Sequence, residues 1–276
     1  MNRQTVIYRL RSSPFIRRTL APLIRLQREK ERKEFVKTPD ADFLRSLKNT
    51  RTGERCFVIG NGPSLTTEDL DRLQGECSFA SNRIYYLFDR TLWRPDYYFC
   101  VDGDVLVREI GEIKKAEMPC KFLRTIAQKY GRKPEDHIHY MIQYGPFFEN
   151  RAQIWQQGFS EHVDRYFSIS TTVTTCAIEL AVYMGFQKIY LLGVDHQFSR
   201  TIDSAGKVKK HPGVTDYFAG MKHGNDITIG NVDSMTHSYE ICRDYAKNHG
   251  IEIYNATRGG KLEVFPRVNL DEVLGT

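Results

Sequence analysis

The sequence predicts an α/β protein: a Rossmann-like, mostly parallel sheet with helices on both faces, preceded by an N-terminal helical arm. Three observations point to this class. From residue 54 onward, short apolar runs alternate with segments of helical periodicity. The runs are continuously apolar, as in strands that are buried on both faces. Small or polar residues follow each run, as is typical of the carboxyl ends of strands that line a ligand site.

The first half of the chain contains most of the predicted strands. Asp40–Asn49 predicts a short helix that leads into the sheet domain. The strands predicted after it, in chain order, are Arg55–Ile59, Cys77–Ala80, Asp96–Val101, Cys120–Leu123 and His137–Met141. Short helices are predicted at Thr67–Leu73 and Arg83–Phe88, between the first three strands. This alternation of strand and helix requires parallel strands joined by crossovers.

The second half shows clearer periodicity. Apolar residues recur at helical spacing from Val173 to Met184, and Gly185 ends that helix. The run "KIYLLGVD" predicts a buried strand that ends on Asp195. Residues 196–230 have no periodicity and are rich in Gly, Lys, Asp and His, which predicts a long mobile loop of the kind that often serves as a lid. The remaining predicted elements are a helix over 235–246, a strand over 251–257 and a helix over 269–274.

The charge distribution separates an arm (1–49) from a nucleotide-binding catalytic domain (50–276). The first 37 residues hold eight Arg and three Lys against three Glu, a net charge of +8, whereas the whole chain carries +6, which leaves −2 for the remainder. One interpretation is a solvated helix that packs on its own domain or on a partner subunit. The other is a basic amphipathic helix that lies on an anionic membrane surface. A nucleic-acid arm ranks last, because aromatic platforms and a known motif are missing.

Composition predicts a cytoplasmic protein. Hydrophobic residues make up 41% and charged residues 27% of the chain, which is ordinary for a globular domain. The six cysteines are scattered without a CxxC pair, so we interpret them as reduced core thiols. No apolar run is long enough to span a bilayer, and no signal-peptide pattern is evident. The basic arm adds the expectation of a place at the inner face of the membrane.

The segment "GNGPS", Gly60 to Ser64, follows the first strand and is the first candidate for binding a phosphate or nucleotide. The glycines allow backbone N–H groups to approach a ligand, and the Asn61 amide can reach it. Thr66 and Asp69 resemble a capping box, so an anion should meet the turn itself and not the helix end. The alternative is a structural turn that needs positive φ at Gly60 or Gly62.

Other polar residues follow the later strands. Asn82 suits hydrogen bonding to a base or sugar and Arg83 suits a phosphate, although Ser81 or Asn82 could instead cap a helix. Ser170, Thr171 and Thr172 offer hydroxyls at a helix start, where a cap is the alternative. The nucleotide-binding candidates are Gly60, Asn61, Gly62, Pro63, Ser64, Asn82, Arg83, Ser170, Thr171, Thr172 and Asp195.

Asp102 and Asp104 are the candidate metal ligands. Two carboxylates one residue apart after a strand could hold a divalent ion that bridges a nucleotide diphosphate. A helix N-cap by Asp104 is the alternative. For acid–base chemistry the candidates are His237 and His196, because the unperturbed pKa of histidine lies nearest neutral pH. His211 and His223 lie in the loop and are less informative.

The order and spacing of these pieces resemble two related families. The pieces are "FVIGNGPSL", "SNR", "STTVTTCAIELAVYMGFQKIYLLGVD" and "IEIYNATRGGKLEVF", and the resemblance covers roughly residues 54–265. One family comprises the bacterial sialyltransferases of the lipooligosaccharide type, with the associated flagellin-glycosylating proteins. The other is the domain family named after the archaeal 6-hydroxymethylpterin pyrophosphokinase.

The sialyltransferase resemblance implies that Gly60, Asn61, Gly62 and Asn82 hold the cytidine nucleotide of a CMP-sugar, with Thr171 and Thr172 also at the nucleotide. It implies a general base just before the last long helix, where this sequence has Asp233. His237, one turn further along, is our first choice of base, with Asp233 and His196 behind it. The tyrosines that steady the leaving phosphate in that family are not evident; Gln197 falls near one, and Tyr217 is a distant substitute.

The function expected from the sequence is therefore an inverting glycosyltransferase in surface glycan biosynthesis, using a nucleotide-activated sugar, for which the resemblance implies a CMP-sugar. Its expected partners are the nucleotide-sugar donor, a glycan or lipid-linked acceptor, the membrane and a second copy of the chain, with no nucleic acid. No cofactor is required for that reaction. The alternative is an ATP- and Mg²⁺-dependent pyrophosphokinase that would use Asp102 and Asp104. A third hypothesis is a non-catalytic nucleotide-binding scaffold.

Overall fold

The computed structural model describes residues 14–144, 158–202, 207–219, 221 and 230–275. Residues 1–13 of the predicted arm lie outside the described residues. So do 203–206, 220 and 222–229 of the predicted loop, including His223.

The strands are, in chain order, β1 (Arg55–Ile59), β2 (Ser78–Ser81), β3 (Tyr97–Cys100), β4 (Lys121–Arg124), β5 (Ile138–Met141), β6 (Gln143–Tyr144), β7 (Phe167–Ser168), β8 (Lys188–Leu192), β9 (Arg200–Ile202), β10 (Val208–Lys210) and β11 (Glu252–Asn255). The α-helices are α1 (Pro14–Phe35), α2 (Pro39–Ser46), α3 (Thr67–Asp71), α4 (Gly103–Lys115), α5 (Thr174–Met184), α6 (Val232–Asn248) and α7 (Leu270–Leu274). Short 3-10 turns cover Ile84–Leu87, Thr125–Tyr130 and Pro134–Asp136.

The central sheet has seven strands in the order β11-β8-β1-β2-β3-β4-β5. Every pairing within it is parallel. Successive side chains of a strand point to opposite faces, and β1 shows the result. Cys56 and Val58 belong to one buried cluster and Phe57 and Ile59 to the other. Both faces are therefore apolar and covered, which confirms the predicted fold class.

Helices divide between the two faces. Buried residues of α2, α5 and α6 pack in the cluster that contains Val58, and those of α3, α4 and α7 pack in the cluster that contains Ile59. Phe35, at the end of α1, is 5% exposed and joins the Val58 cluster. The last turn of α1 and helix α2 are thus packed on the sheet. The side chain of Tyr144 adds a link, donating a hydrogen bond to Glu29 of α1 over 2.9 Å.

Helix α4 and the strands β9 and β10 were not among the predicted strands and helices. A helix after Asp102 was implied only by the alternative of an N-cap at Asp104, and α4 runs there for 13 residues. Asp102, not Asp104, is its N-cap: one carboxylate oxygen accepts from the backbone N–H groups of Asp104 and Val105. Leu106, Ile110 and Ile113 recur at helical spacing and face the core, so the sequence carried a signal for α4 that the prediction missed. The loop predicted over 196–230 contains the antiparallel pair β9–β10, whose residues are half-buried or exposed and so lack a strand pattern.

All six cysteines are free thiols, and all except the half-buried Cys77 are buried. Burial raises the pKa of the Cys120 thiol and of Cys56, which favours the neutral form. Within the described part of the chain, no helix is both long and apolar enough to cross a membrane.

Candidate functional site

A cleft of about 680 Å³ lies where the sheet strands end. Because the strands are parallel, their carboxyl ends meet at one edge of the sheet, and the residues that follow β1, β2, β3 and β8 line the same space. Of the residues predicted from the sequence, the cleft is lined by Gly60, Asn61, Gly62, Asn82, Arg83, Asp102, Asp104, Ser170, Thr171, Thr172, Asp195 and His196. The predicted candidates Pro63, Ser64, Asp233 and His237 do not line it.

The glycines after β1 are required by close backbone approach. A Cβ atom at Gly62 would lie 2.8 Å from the carbonyl oxygen of Gly193, and closer still to the carboxylate of Asp195. A Cβ atom at Gly60 would meet that same carbonyl group. Neither glycine has positive φ, so the alternative that invoked positive φ for this turn is wrong. The strand ends of β1 and β8 approach too closely for any side chain at these two positions.

Asp195 braces the turn from the β8 side. It is 5% exposed, and its carboxylate accepts hydrogen bonds from the Ser64 hydroxyl (2.7 Å) and the Ser64 backbone N–H (3.3 Å). Burial raises the pKa of Asp195, and the Ser64 bonds oppose that rise. Ser64, although outside the cleft lining, thus holds Asp195 against the turn. The capping box predicted at Thr66 and Asp69 is present at the start of α3.

The two asparagines offer hydrogen-bond acceptors to the cleft. Asn61 donates from Nδ2 to the carbonyl oxygen of Ser81 over 2.9 Å, which assigns its amide orientation. Its Oδ1 atom is buried and has no hydrogen-bond partner among the described residues. The same holds for Oδ1 of Asn82, whose backbone is left-handed (φ +50°) and whose own carbonyl accepts from the Tyr98 hydroxyl over 2.6 Å. Buried polar atoms are normally paired, so both oxygens indicate a ligand with donors.

Arg83 is buried with a counter-charge. Its Nε donates to Glu109 Oε1 over 2.6 Å, and its guanidinium lies 5.6 Å from the centre of the Tyr217 ring. Tyr85 also donates to Glu109, and burial, together with that contact, raises the pKa of the Tyr85 hydroxyl. The charge of Arg83 is therefore largely balanced within the protein. Ser81 is the last residue of β2, and the short 3-10 turn that follows has no side-chain cap from Ser81 or Asn82.

Hydroxyl groups connect the start of α5 to α6. Thr171 and Ser238 share a hydrogen bond of 3.2 Å, and the Ser170 hydroxyl donates to the carbonyl oxygen of Thr172 over 2.7 Å. Helix α5 itself begins at Thr174 with no side-chain cap. The three predicted residues therefore precede the helix and line the cleft between the two helices.

His196 is held as the neutral tautomer with its proton on Nε2. Thr236 donates its hydroxyl to the carbonyl oxygen of Val232 over 2.9 Å, so it must accept at its 2.8 Å contact with His196 Nε2. Nδ1 then carries the lone pair, and it is buried without a hydrogen-bond partner among the described residues. Burial lowers the pKa of His196 to about 4. The imidazole is therefore an uncharged acceptor throughout the neutral pH range.

A second cavity of about 380 Å³ adjoins the cleft and shares His196, Gln197 and Phe198 with it. Asp233 lines this second cavity and is exposed. His237 lies one helical turn beyond Asp233 and lines neither space; its Nδ1 is 3.4 Å from Glu240 Oε2. Among the three predicted bases, His196 is the one that contacts both spaces.

The carboxylates Asp102 and Asp104 are exposed at the side of the cleft formed by α4. One oxygen of Asp102 serves as the helix cap, which leaves its second oxygen and the Asp104 carboxylate for other contacts. Across the described ranges, no three His, Cys, Asp or Glu side chains come together as they would around a metal ion.

Several residues at the cleft were missed by the sequence reasoning. Arg124 directly follows one predicted strand and Gln143 lies two residues after the end of another, so the strand-end rule, applied to β4 and β5, would have found them. No hydrogen bond or ion pair joins the Arg124 guanidinium to another described residue. Arg108 and Tyr239 come from helices α4 and α6, and no local sequence signal marks them as site residues.

A family model described as "MptE-like: 6-hydroxymethylpterin diphosphokinase MptE-like" matches residues 30–201, more than half of the chain. No functionally curated protein matches. Among solved structures, the glycosyltransferase MAf from Magnetospirillum magneticum AMB-1 is similar with a TM-score of 0.46 and 14% sequence identity. The similarity covers 86% of this chain and 38% of that one, so this chain spans less than half the length of the MAf protein.

Proposed function

The chain belongs to the MptE-like family, which confirms the superfamily predicted from its motifs, and from this premise we propose that it is a transferase that binds a nucleotide in the 680 Å³ cleft. The observation that carries the proposal is the pair of buried, unpartnered amide oxygens of Asn61 and Asn82 beside Gly60 and Gly62, where the backbone leaves no room for a side chain. Ribose hydroxyls and the amino group of a base are the donors that such oxygens would accept from. A cleft of this volume suits a nucleotide with a transferable group.

We propose further that the donor is a CMP-sugar and the reaction an inverting glycosyl transfer. The charges at the cleft favour a single phosphate over three. Among the described residues of its lining, the charged side chains are Arg83, Arg108, Arg124, Asp102, Asp104, Asp195 and Asp216. Arg83 is already balanced by Glu109, so a triphosphate would require added cations. The acidic first turn of α3 also disfavours a phosphate chain at that helix end.

In this reaction the acceptor oxygen forms a bond to the anomeric carbon while the bond from that carbon to the phosphate oxygen breaks. CMP leaves with the electron pair, and the acceptor proton passes to the lone pair of His196 Nδ1. Asp233 and His237 are the alternative bases. Arg124, which lines the cleft, would meet the phosphate of the leaving CMP.

The second candidate is diphosphate transfer from ATP, which the description of the family model favours. An acceptor hydroxyl would attack the β-phosphorus and release AMP. Mg²⁺ would be held by Asp102 and Asp104, which fit this ion because it commonly binds one or two carboxylates plus substrate phosphates. The ion would neutralise the phosphate charge that the arginines of the cleft leave unbalanced.

A thermal-shift panel separates these candidates. The CMP-sugar proposal predicts that CMP and CDP raise the melting temperature without metal, because bound ligand stabilises the folded state. The diphosphokinase proposal predicts a rise with ATP that requires Mg²⁺ and is reduced in Asp102→Asn. A response to no nucleotide, with or without Mg²⁺, would contradict both. Binding of CMP without turnover of any CMP-sugar would favour the non-catalytic scaffold.

We also propose that α1 places the enzyme on an anionic membrane surface, near a membrane-linked acceptor. Leu23 is 63% and Leu26 68% exposed, one helical turn apart. They lie within the first 37 residues of the chain, which carry a net charge of +8. Apolar residues interspersed with cations are the composition of helices that bind the membrane interface. The remaining alternative is that these leucines contact a second copy of the chain.

A further inference from the structure

The second cavity has a basic lining close to the reacting end of the cleft. Among its described lining residues, the charged side chains are those of Lys209 on β10, Lys261 after β11, and Asp233 on α6. No hydrogen bond or ion pair joins either lysine ammonium group to another described residue. The described part of the lining therefore has two available cations and one carboxylate.

Lys261 is tied to the floor of the nucleotide site. Its backbone N–H donates to the carbonyl oxygen of Asp195 over 2.8 Å, and Asp195 also braces the Gly60–Ser64 turn through Ser64. His196 follows Asp195 directly in the chain. The backbone of Asp195 therefore holds both His196, which lines both spaces, and the backbone of Lys261 in the second cavity. The hairpin that carries Lys209 is joined by a hydrogen bond of 2.9 Å between Thr201 and His211.

We propose, on the basis of the proposed transferase function, that the second cavity binds the acceptor and that this acceptor carries a phosphate or carboxylate group. The anion would lie between Lys209 and Lys261. The hydroxyl of the acceptor would then face His196, the residue common to both spaces, and the nucleotide-bound group would approach from the cleft. The proton of that hydroxyl goes to His196 Nδ1, its oxygen bonds to the transferred group, and the nucleotide leaves with the electron pair of the broken bond.

The lysines of β10 provide a matched control. Successive residues of a strand point to opposite sides, and Lys210, unlike Lys209, does not line the cavity. Both are exposed and carry the same charge. The comparison of Lys209→Gln with Lys210→Gln, each of which removes one positive charge, therefore separates a local anion contact from a general change in charge, and Lys209→Gln/Lys261→Gln removes both proposed contacts.

The test is calorimetric titration of the full chain with glucose 6-phosphate, glucuronate, glucose and inorganic phosphate, with and without saturating CMP. We expect the two sugar anions to bind the wild-type chain more tightly than glucose. Their affinity should fall about tenfold in the double variant, as expected for the loss of two partly exposed ion contacts. Lys210→Gln should match the wild type, and melting temperatures of all variants should agree.

Equal anion affinity in the double variant and the wild type would overturn the proposal, as would the absence of any anion binding. Inorganic phosphate that binds as tightly as glucose 6-phosphate would also overturn it, because the site would then bind a free ion and not an acceptor. If CMP fails to bind while the sugar anions still depend on Lys209 and Lys261, the nucleotide proposal fails and the anion site stands.

Discussion

Asn82 has an unusual backbone for a residue that bears a side chain. Its φ of +50° is in the left-handed region, where glycine is at no disadvantage, and its buried amide oxygen has no described partner. A residue with a left-handed backbone and an unpaired buried polar atom at a cleft is typical of a ligand-binding position. Asn49 has the same kind of backbone (φ +56°) but lies exposed and outside the cleft.

This pair gives a direct prediction at the residue scale. Asn82→Gly keeps the backbone conformation and removes the amide, so we expect CMP affinity to fall about tenfold, the value of one hydrogen bond. Asn49→Gly is the control and should bind CMP as the wild type does. Titration calorimetry measures both. Equal CMP affinity in the two variants would show that the Asn82 side chain does not contact the nucleotide.

His196 gives the second prediction. Its φ is +54°, and asparagine tolerates that region, so His196→Asn removes the imidazole with little backbone strain. We expect turnover of the CMP-sugar to fall at least about 100-fold, the usual range for loss of a general base, while CMP binding is retained. Because the pKa of His196 is about 4, the wild-type rate should be constant from pH 6 to pH 8. Undiminished turnover in His196→Asn would assign the base to Asp233 or His237.

At the scale of secondary-structure elements, helix α5 carries a buried carboxylate. Glu179 is 2% exposed and accepts backbone N–H groups of Ser160 (2.9 Å) and Ser168 (3.0 Å). Burial raises its pKa to about 7, and these hydrogen bonds oppose the rise. The side chain thereby joins α5 to the segments that precede it, next to the hydroxyl residues of the cleft.

The pH dependence of stability tests this arrangement. A carboxyl whose folded pKa is raised contributes stability that is fully present below its unfolded pKa, near 4.5, and is lost as the pH rises through about 7. The free energy of unfolding of the wild type, relative to Glu179→Gln, should therefore fall by about 1–3 kcal/mol between pH 4.5 and pH 8. Urea denaturation of both proteins across this range measures it. A constant difference would show that Glu179 has an ordinary pKa.

Helix α1 gives a prediction for the arm. Leu23→Ser/Leu26→Ser should reduce co-sedimentation with vesicles that contain anionic lipid, since each serine removes apolar area from the membrane contact. Leu92, which is 87% exposed on the sheet domain, provides the control Leu92→Ser, and its binding should be unchanged. If the double variant keeps its vesicle binding but changes its mass in solution, the leucines belong to a contact between copies of the chain.

At the scale of the whole molecule, the sequence predicted the positions of the strands along the chain more fully than their order in the sheet. Buried runs such as 188–192 can be recognised in the sequence because both faces of a parallel sheet are apolar. Most of the site residues that were predicted from their place after a strand lie in one cleft. The order of the strands in the sheet leaves no local signal in the sequence. The contacts of Asn61 with Ser81, and of Asp195 with Ser64, require β1 to lie between β8 and β2, which depends on tertiary packing.

Tertiary packing also explains why the sequence ranked His237 first among the candidate bases while the structure favours His196. The sequence favoured His237 because it lies near the start of the last long helix, but the rotation of α6 against the sheet decides which side chain reaches a cavity. That rotation brings Asp233 and Thr236 to the second cavity. The tautomer of His196 likewise depends on the carbonyl oxygen of Val232, which only the folded helix presents to Thr236.

We propose that the cleft at the carboxyl edge of the sheet binds a nucleotide through Asn61 and Asn82, and a crystal structure of the chain with CMP is the decisive test. We expect CMP to lie against Gly60 and Gly62, with ribose or base donors within hydrogen-bond distance of Oδ1 of both asparagines. CMP bound elsewhere, or bound in the cleft with both amide oxygens still unpaired, would contradict it.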